Sequence, residues 1–132
     1  MLRMKRIIAI DYGKKRVGVA LSDESRAFAL PQKVLPNDAS LLGALKEIIQ
    51  TNDVDTVVVG ESKNYSGEDN LIMKDIRQFK KNIEKETGLA AVFEPEFLTS
   101  AEASHIQGKT GMLDASAAAL ILQSYIRRQE NG

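Results

Sequence analysis

Cysteine and tryptophan are absent, and a single histidine, His105, stands among the 132 residues. The missing cysteines remove disulfide scaffolds, thiolate zinc sites and cysteine nucleophiles together, and they suit a reducing compartment. A lone histidine excludes any centre built on two imidazole ligands. Aromatic residues make up only 5%, which gives little ground for base stacking as a mode of recognition. Charge of one sign is also lacking in excess: 18 Lys+Arg balance 18 Asp+Glu. That balance excludes a strongly basic binder while leaving room for a local basic patch. Long hydrophobic runs are missing too. Residues 7–10 form an apolar stretch that stops at Asp11, shorter than the roughly 7–15 residues of an export signal. Residues 117–122 fall far below the ~18 needed to span a bilayer. The expectation is a soluble, cytoplasmic protein with no membrane partner.

What is present is enough for a core. Hydrophobic residues are 43% of the chain, and the length fits one compact domain over residues 1–132. Residues 5–11 read as a short apolar strand flanked by charge, followed by the turn Tyr12-Gly13-Lys14-Lys15. Val17, Val19 and Leu21 then alternate with small or polar residues, so the two runs predict an antiparallel hairpin. A third strand is expected within residues 27–35, and Pro31 suits a sheet edge. Leu41, Leu42, Leu45, Ile48 and Ile49 recur at helical spacing, which predicts a helix over 40–50. Residues 54–60 (VDTVVVG) have the form of a strand buried on both faces. Ile72, Ile76, Phe79 and Ile83 mark a second helix ending near Gly88, and residues 89–93 a fifth strand. Thr99-Ser100-Ala101-Glu102 has capping-box spacing and predicts a short helix to about residue 107. A last helix is expected over 113–129. The order β-β-β-α-β-α-β-α-α predicts an α/β fold: a five-stranded mixed sheet with helices on both faces.

Three acids sit where such a sheet places ligands. Asp11 closes the most apolar strand, and a carboxylate there needs a positive or hydrogen-bonding partner. A turn-starting Asp that bonds the backbone of Gly13 and Lys14 is the plainer alternative. In Glu94-Pro95-Glu96, Pro95 is expected to break pairing, so that at least one acid emerges at the same sheet edge as Asp11. Asp114 opens the last helix beside its buried stripe of Ala118, Ile121, Leu122 and Ile126. The small residues 115–119 would let that helix approach the sheet closely. Clustered carboxylates repel unless a divalent cation lies among them, and oxygen-only ligands favour Mg²⁺ or Mn²⁺ over Zn²⁺. Such a site suits attack of water on a phosphodiester. Lys14, Lys15 and Arg16 follow Asp11 directly and would meet a phosphate backbone first. Arg77, Lys80 and Lys81 on the second helix, with Arg127 and Arg128 on the last, read equally well as solvated faces.

Several segments resemble one family. Residues 8–23 (IAIDYGKKRVGVALSD) are similar to the opening motif of the YqgF-type Holliday junction resolvase-like family, a branch of the RNase H-like superfamily. The strand and glycine of VVVG at 57–60, LTSAEA at 98–103 and DASAAALILQSY at 114–125 resemble its later motifs in the right order. Members of that family are named as nucleases of pre-16S rRNA. The resemblance implies an RNase H-like fold, with Asp11, Glu96 and Asp114 as catalytic, metal-holding acids. It places Gly13, Thr99 and Ser100 in supporting positions. It also implies structured RNA or branched DNA as partner, ribosome precursors included. The chain departs from the family where Pro95 and Phe97 replace an aspartate and an arginine around Glu96. Glu61 follows the central strand where the family tends to have leucine. Glu94 and Glu61 are therefore open alternatives for the second acid. Two rival readings remain: a non-catalytic nucleic-acid-binding or ribosome-associated module, and a nucleotide-binding domain like that of the actin-like ATPases.

Overall fold

The computed structural model describes residues 5–62, 72–96 and 113–131. The helix expected from Thr99 and Ser100, like Phe97 and residues 63–70, lies outside them. Three strands open the chain: β1 (Arg6–Tyr12), β2 (Arg16–Ser22) and β3 (Ala29–Pro36). Helix α1 (Leu41–Thr51), strand β4 (Val54–Ser62), helix α2 (Met73–Thr87), strand β5 (Ala91–Glu96) and helix α3 (Leu113–Asn131) follow. The five strands form one sheet in the order β3-β2-β1-β4-β5. β1–β2 and β2–β3 pair antiparallel, while β1–β4 and β4–β5 pair parallel. The mixed sheet with helices on both faces is as expected.

Alternation along the strands decides which residues meet which helix. Ile8 and Ile10 of β1, Val17, Val19 and Leu21 of β2, and Val57 and Val59 of β4 point to one face. There they pack on Leu45 of α1 and on Ile76, Phe79 and Ile83 of α2. Ile7, Ala9, Ala20 and Val58 point to the other face and meet Ala118, Ile121, Leu122 and Ile126 of α3. The stripe read from the sequence of the last helix is thus its buried side.

Three boundaries differ from expectation. β5 begins at Ala91 rather than at 89, because α2 ends in a left-handed Gly88 (φ 74°) that consumes the connection. The Thr87 hydroxyl accepts the Leu89 N–H, and the Glu84 carboxylate accepts the Ala91 N–H at 2.9 Å. Pro95 does not break pairing. It stands opposite Glu61, and the strand runs on to Glu96 opposite Ser62. β5 is an edge strand, so a residue without an N–H can keep its place with that side turned away from β4. Glu61 and Ser62 accordingly belong to β4, which runs two residues past the expected end at Gly60.

Candidate functional site

β1 ends at the middle of the sheet, and its exit is held from both sides. On one face Tyr12 packs against Phe79 of α2, with ring centroids 4.8 Å apart. Asp11, one residue earlier, takes the opposite parity and shares the α3 face with Ile7 and Ala9. It is half-buried and stands opposite Gly18 of β2.

The turn after it is tight. A Cβ on Gly13 would come within 2.5 Å of the Arg16 carbonyl oxygen, so any side chain there would force the turn open. Asn37, beyond β3, braces the same turn twice. Its side-chain amide donates to the Gly13 carbonyl at 2.7 Å, and its backbone N–H donates to the Lys15 carbonyl at 3.0 Å. Lys14, Lys15 and Arg16 are exposed on this braced turn. Nothing in the sequence singled out Asn37, although Pro36-Asn37-Asp38 carries ordinary turn chemistry.

The parallel register fixes where the second acids fall. Ile10 pairs with Val59, and Gly60 pairs with Glu94. One residue beyond Ile10, Asp11 therefore stands level with Gly60 and Glu94 in a single row across β1, β4 and β5. By parity Asp11 and Glu94 share the α3 face, two strand spacings or about 10 Å apart. The glycine between them puts no side chain on that face.

Glu94 is buried, with 2% of its surface exposed. The Ser124 hydroxyl donates to its Oε2 at 2.8 Å, and an Arg128 Nη lies 2.9 Å from its Oε1. That second approach is an ion pair without hydrogen-bond alignment, so Oε1 accepts no hydrogen bond. The carboxylate is committed to α3. Ser124 and Arg128 are four residues apart beside the buried stripe, one helical turn, which is the signal that could have paired them.

Glu61 follows Val59 by two residues and takes the parity of the α1–α2 face, opposite that of Asp11. Glu96 and Asp114 are placed by their backbones alone, their side chains lying outside what is described. Glu96 ends β5, its backbone opposite Ser62. Asp114 immediately precedes Ala115, which is fully buried at the start of α3. Among the described residues no three acidic or histidine side chains converge as a metal centre. The other basic clusters are occupied in part. Lys80 pairs with Glu84 at 3.4 Å and lies over the Phe93 ring, and Arg128 holds Glu94. A groove of about 250 Å³ between β3 and α1 is lined by Lys33, Leu35 and Glu47 among others. Among the described acids, Asp11, Glu61 and Glu94 do not line it. No described helix is long and apolar enough to cross a membrane.

Comparison with known proteins bears on the fold and the family. A protein of Maridesulfovibrio salexigens named "Putative pre-16S rRNA nuclease" is 32% identical over 133 residues, covering 93% of this chain and 98% of its own. Thermus thermophilus RuvC in complex with a Holliday junction substrate superposes with a TM-score of 0.60 at 16% identity. That match covers 94% of this chain and 96% of RuvC. The fowlpox virus resolvase with Holliday junction DNA gives a TM-score of 0.56 at 14% identity, covering 94% of this chain and 98% of that one. These structures share the RNase H-like fold. The profile of the RuvX family matches residues 5–128, and the chain belongs to that family, described as Holliday junction resolvase.

Proposed function

We propose that the protein is a divalent-metal-dependent nuclease that hydrolyses phosphodiester bonds in structured nucleic acid. Its favoured substrate is precursor 16S rRNA, which makes ribosome biogenesis in the cytoplasm its setting, with branched DNA of the Holliday-junction type as the other option. The observation that carries this reading is the position of Asp11. It is the penultimate residue of the central strand, at the ligand-binding edge of an α/β sheet, and lies just before a braced turn that presents Lys14, Lys15 and Arg16. The family relationship and the nuclease name of the relatives support the same reading.

The donor set fits a hard cation. Asp11, Glu96 and Asp114 offer only oxygens, and the sequence has no cysteine to compete, so Mg²⁺ or Mn²⁺ is the appropriate ion. When bound, such an ion lowers the pKa of water and neutralises charge on the phosphate. The chain's own part is to hold three acids on separate elements at one edge. Burial of Tyr12 against Phe79 fixes the β1 exit, and the fully buried Ala115 and Ala118 seat α3 on the sheet. Glu94 is tied to Ser124 and Arg128, and Glu61 takes the opposite parity, so Glu96 is the second acid in this reading. Lys14, Lys15 and Arg16 contact substrate phosphates, and Gly13 keeps their turn closed. Thr99 and Ser100 follow Glu96 closely in sequence and support its segment.

The test compares wild type with Asp11→Asn on single-stranded RNA, duplex and four-way-junction DNA, with Mn²⁺ and with chelator. Wild type should cleave at least one of them only with the metal. Asp11→Asn should lose ~10³-fold or more, a loss of about 4 kcal/mol in transition-state stabilisation, with its melting temperature preserved. Full cleavage by a folded Asp11→Asn protein would refute the assignment.

A further inference from the structure

Arg128 stands out among the described cations because its position is fixed from beneath. Its guanidinium lies 2.9 Å from Glu94 Oε1, yet its side chain is 56% exposed where that of Glu94 is 2% exposed. A buried carboxylate without a compensating charge costs several kcal/mol. Glu94 therefore holds the guanidinium in place, and the rotamer freedom of a long side chain is already spent before any ligand arrives. Arginine carries five N–H donors in a planar fork. One nitrogen faces Glu94, so the exposed remainder of the fork can bind an anion without leaving its anchor.

Its place on the sheet matters as much. Glu94 lies level with Asp11 across β4, by the register of Val59 with Ile10 and of Gly60 with Glu94. Arg128 is thus moored on the β5 side of Asp11, at the same end of the strands. The Lys14–Lys15–Arg16 turn lies on the other side, joining β1 to β2. Positive charge thus stands on both the β2 side and the β5 side of Asp11.

We propose that Arg128 is a phosphate-contacting residue. The substrate backbone crosses the strand ends from the 13–16 turn, over Asp11, to Arg128, with Glu94 and Ser124 as the residues that position the guanidinium. This inference rests on the nucleic-acid reading above and adds to it a direction of travel and a second contact.

The experiment measures equilibrium binding of four-way-junction DNA and of single-stranded RNA against salt, in chelator so that nothing is cut. Wild type is compared with the double variant Glu94→Gln/Arg128→Gln. Exchanging both partners removes one negative and one positive charge, so the net charge and the long-range field of the protein stay the same. Loss of one phosphate contact should reduce the slope of log K against log salt by about 0.7–0.9. The affinity at low salt should fall several-fold. An unchanged slope in a folded double variant would overturn the proposal while leaving the nuclease reading intact.

A second measurement needs no variant. Phenylglyoxal modification of wild-type arginines, followed by peptide mapping, should show Arg128 protected when junction or RNA is bound. Equal modification with and without nucleic acid would overturn the proposal by itself. Wild type that binds neither probe would overturn both readings together.

Discussion

The two faces of the sheet are built from different materials. The face under α1 and α2 is filled by large aliphatic and aromatic side chains: Ile8, Ile10, Leu45, Ile76, Phe79 and Ile83. The face under α3 contains Ala9, Ala20 and Ala118, all fully buried. Both buried polar residues among the described ones, Ser22 and Glu94, take that parity. Ser22 accepts the Ile7 N–H at 2.9 Å, and Glu94 is held by α3. Large side chains keep a helix at a distance and exclude polar groups. Small ones let it come close enough for side-chain oxygens to reach across. The α3 face also buries Ile7, Val58, Ile121, Leu122 and Ile126, so the difference teaches that both faces hold the fold while only the second also brings polar groups within each other's reach. Asp11 and Glu94 share the second face.

That division can be broken by substitution. Leu45→Ala removes a fully buried side chain from the first face and should cost ~2–5 kcal/mol of stability, read as a drop in denaturant midpoint. Activity per folded molecule should stay within about twofold, since no acid lies on that face in the proposed site. Ala118→Leu enlarges the second face, where α3 seats on the sheet. It should cost ~1–3 kcal/mol, less than Leu45→Ala, yet reduce cleavage per folded molecule far more because α3 carries Asp114. Equal activity losses in the two variants would erase the functional contrast between the faces.

The smallest effect belongs to the opposite end of the sheet, where the β2–β3 connection is a charged structural turn. The Asp23 carboxylate accepts from the Ser25 hydroxyl and from the Ala27 and Phe28 N–H groups. These bonds, the Ser25 hydroxyl first, lower its pKa from 3.8 to about 2. A lowered acid pKa stabilises the fold above the unfolded value and ceases to do so as pH falls through the folded one. The stability difference between wild type and Asp23→Asn should therefore be constant at neutral pH and shrink as pH drops from 3.8 towards 2. Cleavage should be unaffected at neutral pH. A pH-independent difference would show that the carboxylate's charge is not what the turn uses.

Much of this arrangement was legible in the sequence because it rests on short-range periodicity. Alternation in residues 16–22 assigned Val17, Val19 and Leu21 to one face, and spacing in the last helix marked Ala118, Ile121, Leu122 and Ile126 as buried. Asp11 could be placed because a carboxylate ending an apolar strand is unusual in itself. The register between β4 and β5 was not legible, since parallel pairing joins segments separated by a whole helix and leaves no local mark. Hence Pro95 looked like a break, and Glu61 looked as open to the role of second acid as Glu94. The partners of Glu94 were hidden for the same reason: thirty positions separate it from Ser124. The edge position of β5 explains Pro95 only once the strand order is known.

The strand order also sets when the protein can act. β1, with Asp11, finds its parallel neighbour only after α1 and β4 exist, and the last candidate acid arrives with α3. A polypeptide still emerging from the ribosome holds these acids apart until its final helix docks. If Asp114 is the third acid, as proposed, cleavage must wait until that helix (Leu113–Asn131) has been made and seated on the sheet.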